Sequence, residues 1–420
     1  MKRKMVFPLL LLLLSVLVSS CAGLIPLDDE EPATGTFGPQ MTLQEHHAQT
    51  LEALWTILQE NYIYYDTANV DWTALKGKYQ AEIQRGLTAE EFDQLLRRLE
   101  DDLPESSLLY QSRRERVETD ITDNSTYEGI GAFVGFDPKP QPHIILLAII
   151  DGSPAEKAGL KAHESILAID GKPVLLEEGI NAVQRVRGPA GSTVTLTVQA
   201  PGGAKREVEV QRGRLTANVR LEAGQIVGTS YGYLLFPPVP YDNLLNDVVA
   251  AMETLTTNQK LEGLILDLRI AGSSGSFPLD TLYSLFHNGE LGEFYNRTDE
   301  QMIEIPGENV FDSQNVPLVI LVGKHTQGFP EILAGSLQMH ERAVIIGEPT
   351  TGAVETSTAF LLPDGSRVYI ETTSFILPNG REIGITGILP DIPIEAGWDE
   401  IFPGKDPSLD AAIVYFRTRE

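Results

Sequence analysis

The chain has 420 residues and a mass of 46.1 kDa, more than one hydrophobic core usually organises, so two or three domains are expected. Lys plus Arg number 32 against 59 Asp plus Glu, and the resulting charge of −27 argues against a protein that grips nucleic-acid phosphates. A single cysteine, Cys21, excludes an intrachain disulfide framework and a multi-cysteine zinc site, and the seven histidines never fall in His-Glu-x-x-His spacing. No Gly-Lys-Ser/Thr phosphate loop is present either, so neither cofactor nor metal is expected.

Lys2, Arg3 and Lys4 precede an apolar stretch from Met5 to Val18, which reads as the basic and hydrophobic parts of a secretory signal over residues 1–20. It ends Val18-Ser19-Ser20-Cys21, which resembles a bacterial lipobox, with Cys21 as the lipidated first residue of the mature chain. Loss of residues 1–20 removes three positive charges and leaves −30. The expectation is a lipoprotein anchored on the extracytoplasmic face of a cell membrane. Residues 21–41 carry Asp28-Asp29-Glu30-Glu31 with Pro32, Gly35, Gly38 and Pro39 and no apolar period, as a solvated tether does.

Residues 42–120 read as helical. Leu51, Leu54, Ile57 and Leu58 share one face, as do Phe92, Leu95, Leu96 and Leu99 behind a Thr88–Glu91 capping box. Tyr62, Tyr64, Tyr65 and Trp72 read as core or inter-helix packing. No chemistry is visible in this block.

Residues 121–215 alternate short strands with two helices. Ile144 to Ile150 reads as a buried strand, Ser153-Pro154-Ala155-Glu156 as a capped helix start, Gly159 as its stop, and Ile180 to Val186 as a second, longer helix. Gly152-Ser153-Pro154-Ala155-Glu156-Lys157-Ala158-Gly159-Leu160, followed by Ile166-Leu167-Ala168-Ile169-Asp170-Gly171, resembles the bacterial PDZ signature, although His163-Glu164 stands where Gly-Asp is usual. The resemblance implies a peptide-binding groove. Gly129, Ile130, Gly131 and Ala132 would form its carboxylate loop, and Ile180 and Val183 would line it. Glycines there let successive amides converge on an anion, and the peptide adds as an extra strand.

Residues 216–420 alternate strands and helices around a core sheet: Gly232–Phe236, Leu244–Leu255, Gly263–Arg269, Pro317–Val322, Pro330–Met339 and Ala343–Gly347, then a β-rich close. Several stretches resemble the C-terminal processing (tail-specific) peptidases. They are Gly263 to Arg269 with the Gly/Ser loop behind it, Glu331 to Gln338, Val344 to Thr350, Leu362-Pro363-Asp364-Gly365, Pro378 to Arg381 and Gly387 to Ile392. The resemblance implies an α+β multidomain chain: a helical N-terminal segment, a PDZ domain and an α/β tail-specific-protease-like (ClpP/crotonase-like) domain.

It also implies a serine nucleophile with a lysine base, a pair that works when desolvation lowers the amine pKa. The serine position, three before Glu331, is Gly328, and the lysine position, 25 residues on, is Ala353. Tricorn-like relatives use histidine in place of the lysine, but the serine stays. Thr326 and Ser274 are the fallback nucleophiles, and Lys324 is a lone lysine expected to be solvated. The backbone of Gly272, Ser273 and Phe329 is expected to keep an oxyanion-like pocket. The resulting expectation is a serine-peptidase relative that binds C-terminal tails of extracytoplasmic proteins without cutting them, as scaffold or regulator. The alternative is an active serine endopeptidase with a relocated nucleophile.

Overall fold

The computed structural model describes residues 41–104, 107–121, 127–215, 219–257, 259–272 and 277–419. Cys21, the signal and the tether lie outside them. Three helices open the described chain, α1 (Leu43–Asn61), α2 (Trp72–Ile83) and α3 (Ala89–Asp102), the first and third started by the Thr42–Glu45 and Thr88–Glu91 capping boxes. Strand β1 (Leu108–Gln111) and helix α4 (Arg113–Ile121) follow. This block is not the separate helical domain expected. β1 pairs antiparallel with β18 (Arg367–Ile376) from the far end of the chain, and Leu362, Val368 and Ile370 complete a core with Leu51, Leu54, Phe92 and Leu96.

The second block holds β2 (Tyr127–Gly129), β3 (Ala132–Asp137), β4 (His143–Ile149), a short α5 (Pro154–Lys157), β5 (Ser165–Ile169), β6 (Lys172–Pro173), β7 (Thr193–Gln199), β8 (Lys205–Gln211) and β9 (Gly213–Leu215). Its main sheet runs β3-β4-β5-β7-β8, so β3 is an edge strand. The expected second α-helix is instead a 3₁₀ element, Leu176–Arg185, broken where Gly179 turns to φ 51°, ψ −140°. A glycine at positive φ cannot continue a right-handed helix, so the element is two short turns on either side of Gly179.

The third block adds β10 (Glu222–Gln225), β11 (Tyr231–Leu235), α6 (Leu244–Thr256), β12 (Gly263–Asp267), α7 (Leu279–Phe286), β13 (Gly289–Tyr295), β14 (Glu300–Ile305), β15 (Leu318–Val322), α8 (Phe329–Met339), β16 (Ala343–Gly347), β17 (Thr356–Leu361), a turn of helix α9 (Ile383–Thr386), β19 (Ile392–Pro393), a 3₁₀ turn (Trp398–Glu400) and α10 (Pro407–Arg417). Its sheet is ordered β10-β11-β12-β15-β16-β19 and is parallel from β11 onward. Leu264, Leu266, Ile320 and Ile345 face α6, α7 and α8, while Ile265, Val319, Leu321 and Ile346 face α10. Burial on both faces explains why these strands read as unbroken apolar runs.

β4 repeats that logic between blocks. Ile144 and Leu146 fill the core of the second block, whereas Ile145, Leu147 and Ala148 join Phe133 against Ile270, Trp398 and Ile401 of the third. The two blocks therefore share an apolar contact along β4.

Candidate functional site

β15 ends at Val322 and α8 begins at Phe329, so Gly323 to Gly328 turn the chain from strand to helix. Thr326 bolts this turn. Its hydroxyl donates to the Leu268 carbonyl at 2.7 Å and accepts from the Gly323 amide at 3.0 Å, and the residue is fully buried. Both roles of the hydroxyl are taken, which corrects the expectation that Thr326 is a spare nucleophile. Lys324 is not the solvated cation expected either. Its Nζ lies 2.9 Å from Asp137 Oδ2 and 3.6 Å from Glu348 Oε1. Burial pulls its pKa down, but those carboxylates outweigh it and the pKa rises, the reverse of what a general base needs. The His325 ring packs where Gly135 has no side chain: a Cβ there would lie 2.2 Å from the ring. Burial, then the neighbouring Lys324 charge, hold that imidazole below its ordinary pKa.

Gly328 itself has φ 70° and ψ −129°, a region essentially reserved for glycine. A strained residue between strand and helix is the arrangement that displays a nucleophile at the head of a sheet. The backbone makes the display; no side chain occupies it.

Glu331, used by sequence reasoning only as a marker, ties Gly328 to the segment that carries Ala353. It is fully buried, and its carboxylate accepts from the Gly328 amide at 2.9 Å and from the Gly352 amide, next to Ala353, at 2.7 Å. Burial raises its pKa against the opposing pull of the Thr350 hydroxyl and of those amides. Ala353 is exposed beside it. Of the expected oxyanion donors, Gly272 is already engaged, donating to the Pro238 carbonyl at 3.0 Å, which corrects that assignment. Ser273 and the fallback Ser274 lie outside the described residues. Phe329 stands at the first position of α8, where an amide has no intrahelical acceptor.

The six residues expected to bind peptide come together. Gly129, Ile130, Gly131, Ala132, Ile180 and Val183 all line one cleft of about 450 Å³ between edge strand β3 and the 3₁₀ element. Ser153 caps α5 as expected, accepting from the Glu156 amide at 3.2 Å. The Ile130 carbonyl accepts from the Ala155 amide and the Gly131 carbonyl from the Ile150 amide, so both point into the domain. In a planar trans peptide the N–H points opposite to the C=O. The amides of Gly131 and Ala132 therefore face away from those contacts, and Gly131 reaches this shape through φ +84°.

Comparison with known proteins agrees with this architecture. The profile of peptidase family S41 matches residues 230–394, that of a PDZ domain residues 145–200, and that of the tricorn protease C1 domain residues 43–99. A carboxyl-terminal-processing protease of a Synechocystis species is 28% identical over 373 residues, 86% of this chain and 84% of its own length. One from a Picosynechococcus species is 28% identical over 80% of each chain. The solved photosystem II D1 C-terminal processing protease superposes with a TM-score of 0.63 at 24% identity, over 84% of this chain and 94% of that one. Residues 230–394 carry a family S41 peptidase domain, and most of the chain is similar to C-terminal processing peptidases.

The PDZ domain is pinned to the S41 peptidase domain by contacts that no sequence motif announced. His143 is 3% exposed; its Nε2 lies 2.9 Å from Asp399 Oδ2 and its Nδ1 2.7 Å from the Gln141 carbonyl. Both neighbours accept only, so both ring nitrogens donate and the imidazole is charged. Burial works against the charged form, but Asp399 and the carbonyl prevail and the pKa is raised. Asp399 also accepts from the Ser165 hydroxyl at 2.9 Å. The departure from Gly-Asp in the PDZ signature is explained here. His163 takes the left-handed φ of 71° that glycine usually serves, packs its ring 4.3 Å from that of Trp398 and bonds the Trp398 carbonyl at 2.7 Å. Glu164 pairs with Arg206 through both oxygens, at 2.7 and 2.8 Å. The only clue in the sequence to this docking was the seven-residue apolar run at β4, too continuous for a sheet with one wet face.

Proposed function

We propose that this protein is a lipid-anchored, extracytoplasmic receptor for protein C-termini: a family S41 member that captures tails in its PDZ groove and does not hydrolyse them. The observation that carries the reading is Gly328, which holds the backbone of a nucleophile turn with no atom to attack a carbonyl. The buried Thr326 hydroxyl and the ion-paired Lys324 support it. A tail whose carboxylate rests at Gly129–Ala132 and pairs with β3 runs along that strand toward Gly135 and Asp137, which abut His325 and Lys324. Captured chains are thereby led toward the degenerate turn, where scaffolding or regulation of a partner takes the place of cleavage.

The test is to incubate purified protein with a panel of proteins bearing different C-terminal tails, following binding and cleavage together. Binding without new termini is expected. Robust cleavage abolished by Ser274→Ala would instead establish the second reading, a working serine endopeptidase with a relocated nucleophile. Anchoring through Cys21 is tested separately: Cys21→Ser is expected to move the protein from the membrane fraction to the soluble one, and an unchanged distribution would remove the anchor.

A further inference from the structure

Three of the chain's seven histidines meet where the PDZ domain rests on the S41 peptidase domain: His143, His163 and His325. His143 is charged and paired with Asp399. The other two are neutral, and neither bonds a carboxylate among the described residues.

His325 reaches across from the strand-to-helix turn. Its ring fills the notch left by the missing side chain of Gly135 on β3, where a Cβ would lie 2.8 Å from each ring nitrogen. Beside the ring is a cavity of about 20 Å³ lined by Asp137, Arg269, Lys324, Glu348 and Trp398, with room for about one water. A charge on this imidazole would gain almost no hydration there. The charged groups facing it are already committed. Asp137 and Glu348 hold Lys324, Asp399 holds His143, and Arg269 is held by Asp267 and Asp406. Burial and then Lys324 therefore oppose protonation, and Asp137 and Asp399 offset them only in part.

His163 stands on the other side of the joint. The Trp398 carbonyl, 2.7 Å from its Nδ1, can only accept, so Nδ1 carries the proton and Nε2 is bare. The ring faces Arg269, Asp267 and Asp406, whose charges are spent on one another. Burial works most strongly against a second proton and Arg269 adds to it, while the carbonyl and the two carboxylates pull the other way and lose.

We propose that this contact is an acid-released joint: protonation of His325 and His163 places two poorly hydrated cations between the domains, and the PDZ domain lifts off the peptidase domain. Tail capture is not required for it. Both imidazoles take up protons more readily once the domains part. Docking is therefore full above their ordinary 6.5 and is lost as pH falls below it, by up to about tenfold per pH unit for each histidine. His143 does not offset this, because its raised pKa leaves it charged throughout that interval. Glu348, raised by burial, titrates the opposite way and returns part of the loss.

The experiment is Förster transfer between dyes on Lys205→Cys of β8 and Val414→Cys of α10, exposed positions outside the joint, in the full chain carrying Cys21→Ser. Wild-type joint residues are expected to lose transfer reversibly as pH falls from about 6.5 to about 5, with the circular dichroism of the folded chain unchanged. His325→Phe, which keeps a ring in the notch, and His163→Asn, which suits the left-handed φ, are each expected to move the midpoint to lower pH. Together they are expected to abolish the change. His163→Asn leaves the notch untouched and carries the same test where His325→Phe docks poorly. Constant transfer with the wild-type joint, a midpoint that the histidine changes leave in place, or transfer lost only together with the circular dichroism signal would each overturn the proposal.

Discussion

Asp399→Asn probes the joint between the two domains, and its cost is predicted to depend on pH in a direction fixed by His143. The perturbed pair is 3% exposed on the histidine side and 18% on the aspartate side, with Ser165 as third member. Asparagine keeps the shape and one acceptor but leaves a buried imidazolium without its counter-charge, at a cost of about 2–3 kcal/mol. The folded pKa of His143 is raised above its ordinary 6.5, so its stabilisation is complete below that value and is lost as pH rises through the folded pKa. The pKa of Asp399 is lowered: burial resists, but His143 and Ser165 win, so its contribution is present above the ordinary 3.8 and lost only as pH falls further. The pair is at full strength between those two ordinary values. His163 and His325, both depressed by burial, slope the opposite way, but they are common to wild type and variant. The difference between the two proteins therefore isolates the pair. Calorimetric melting at about pH 5.5 is expected to show the full penalty, which then shrinks as pH rises through the raised pKa of His143. A penalty that stays constant, or grows with pH, would refute the charged-histidine assignment.

Three further outcomes follow from the site. Gly131→Ala places a Cβ 2.4 Å from that of Ser153 and strains φ, so tail affinity should fall by about tenfold or more in a titration of labelled peptide; unchanged binding would remove the glycine loop from the groove. Glu331→Gln leaves one of the Gly328 and Gly352 amides facing an NH₂ group, which should cost about 1–3 kcal/mol in denaturant unfolding, and a neutral result would show that the bridge bears no strain. Gly328→Ser restores a hydroxyl in a conformation that non-glycine residues resist, so its melting temperature should drop by the equivalent of about 1–3 kcal/mol without cleavage appearing, since Ala353 still offers no base; a stable or more stable variant would contradict the geometry of the turn.

What could be read from the sequence was whatever depends on neighbours in the chain. The Ser153 and Thr88 caps and the strands β12, β15 and β16 rest on spacing and turn chemistry, the six groove residues on the resemblance to the PDZ signature, and all of them occur in the structure. The misses are long-range or conformational. β1 pairs with β18 some 260 residues away, a partner no window of sequence contains. The helix expected over Ile180–Val186 is 3₁₀ and follows a break at Gly179, a conformation that composition permits but does not impose. Lys324 looked solvated because Asp137, its partner, belongs to another domain. Thr326 looked reactive because a hydroxyl beside a histidine carries no sign that Leu268 and Gly323 already occupy it.

Binding and cutting make separable demands on this architecture. Cutting needs side-chain atoms at two points, Gly328 and Ala353, and a strained turn to present the first. Holding a tail needs an edge strand, inward-facing apolar residues and a few amides, all supplied by β3, the 3₁₀ element and the glycine loop on the opposite side of the β4 interface. Glycine at 328 relieves the turn of its strain, while the buried Glu331 bridge holds the turn in place without reference to any catalytic group. On the proposed reading, glycine at 328 and alanine at 353 are compatible with an intact groove. In an active enzyme the strain at 328 is a standing cost of chemistry. Glycine holds φ 70° and ψ −129° where any other residue would be strained, which accords with the proposed receptor reading.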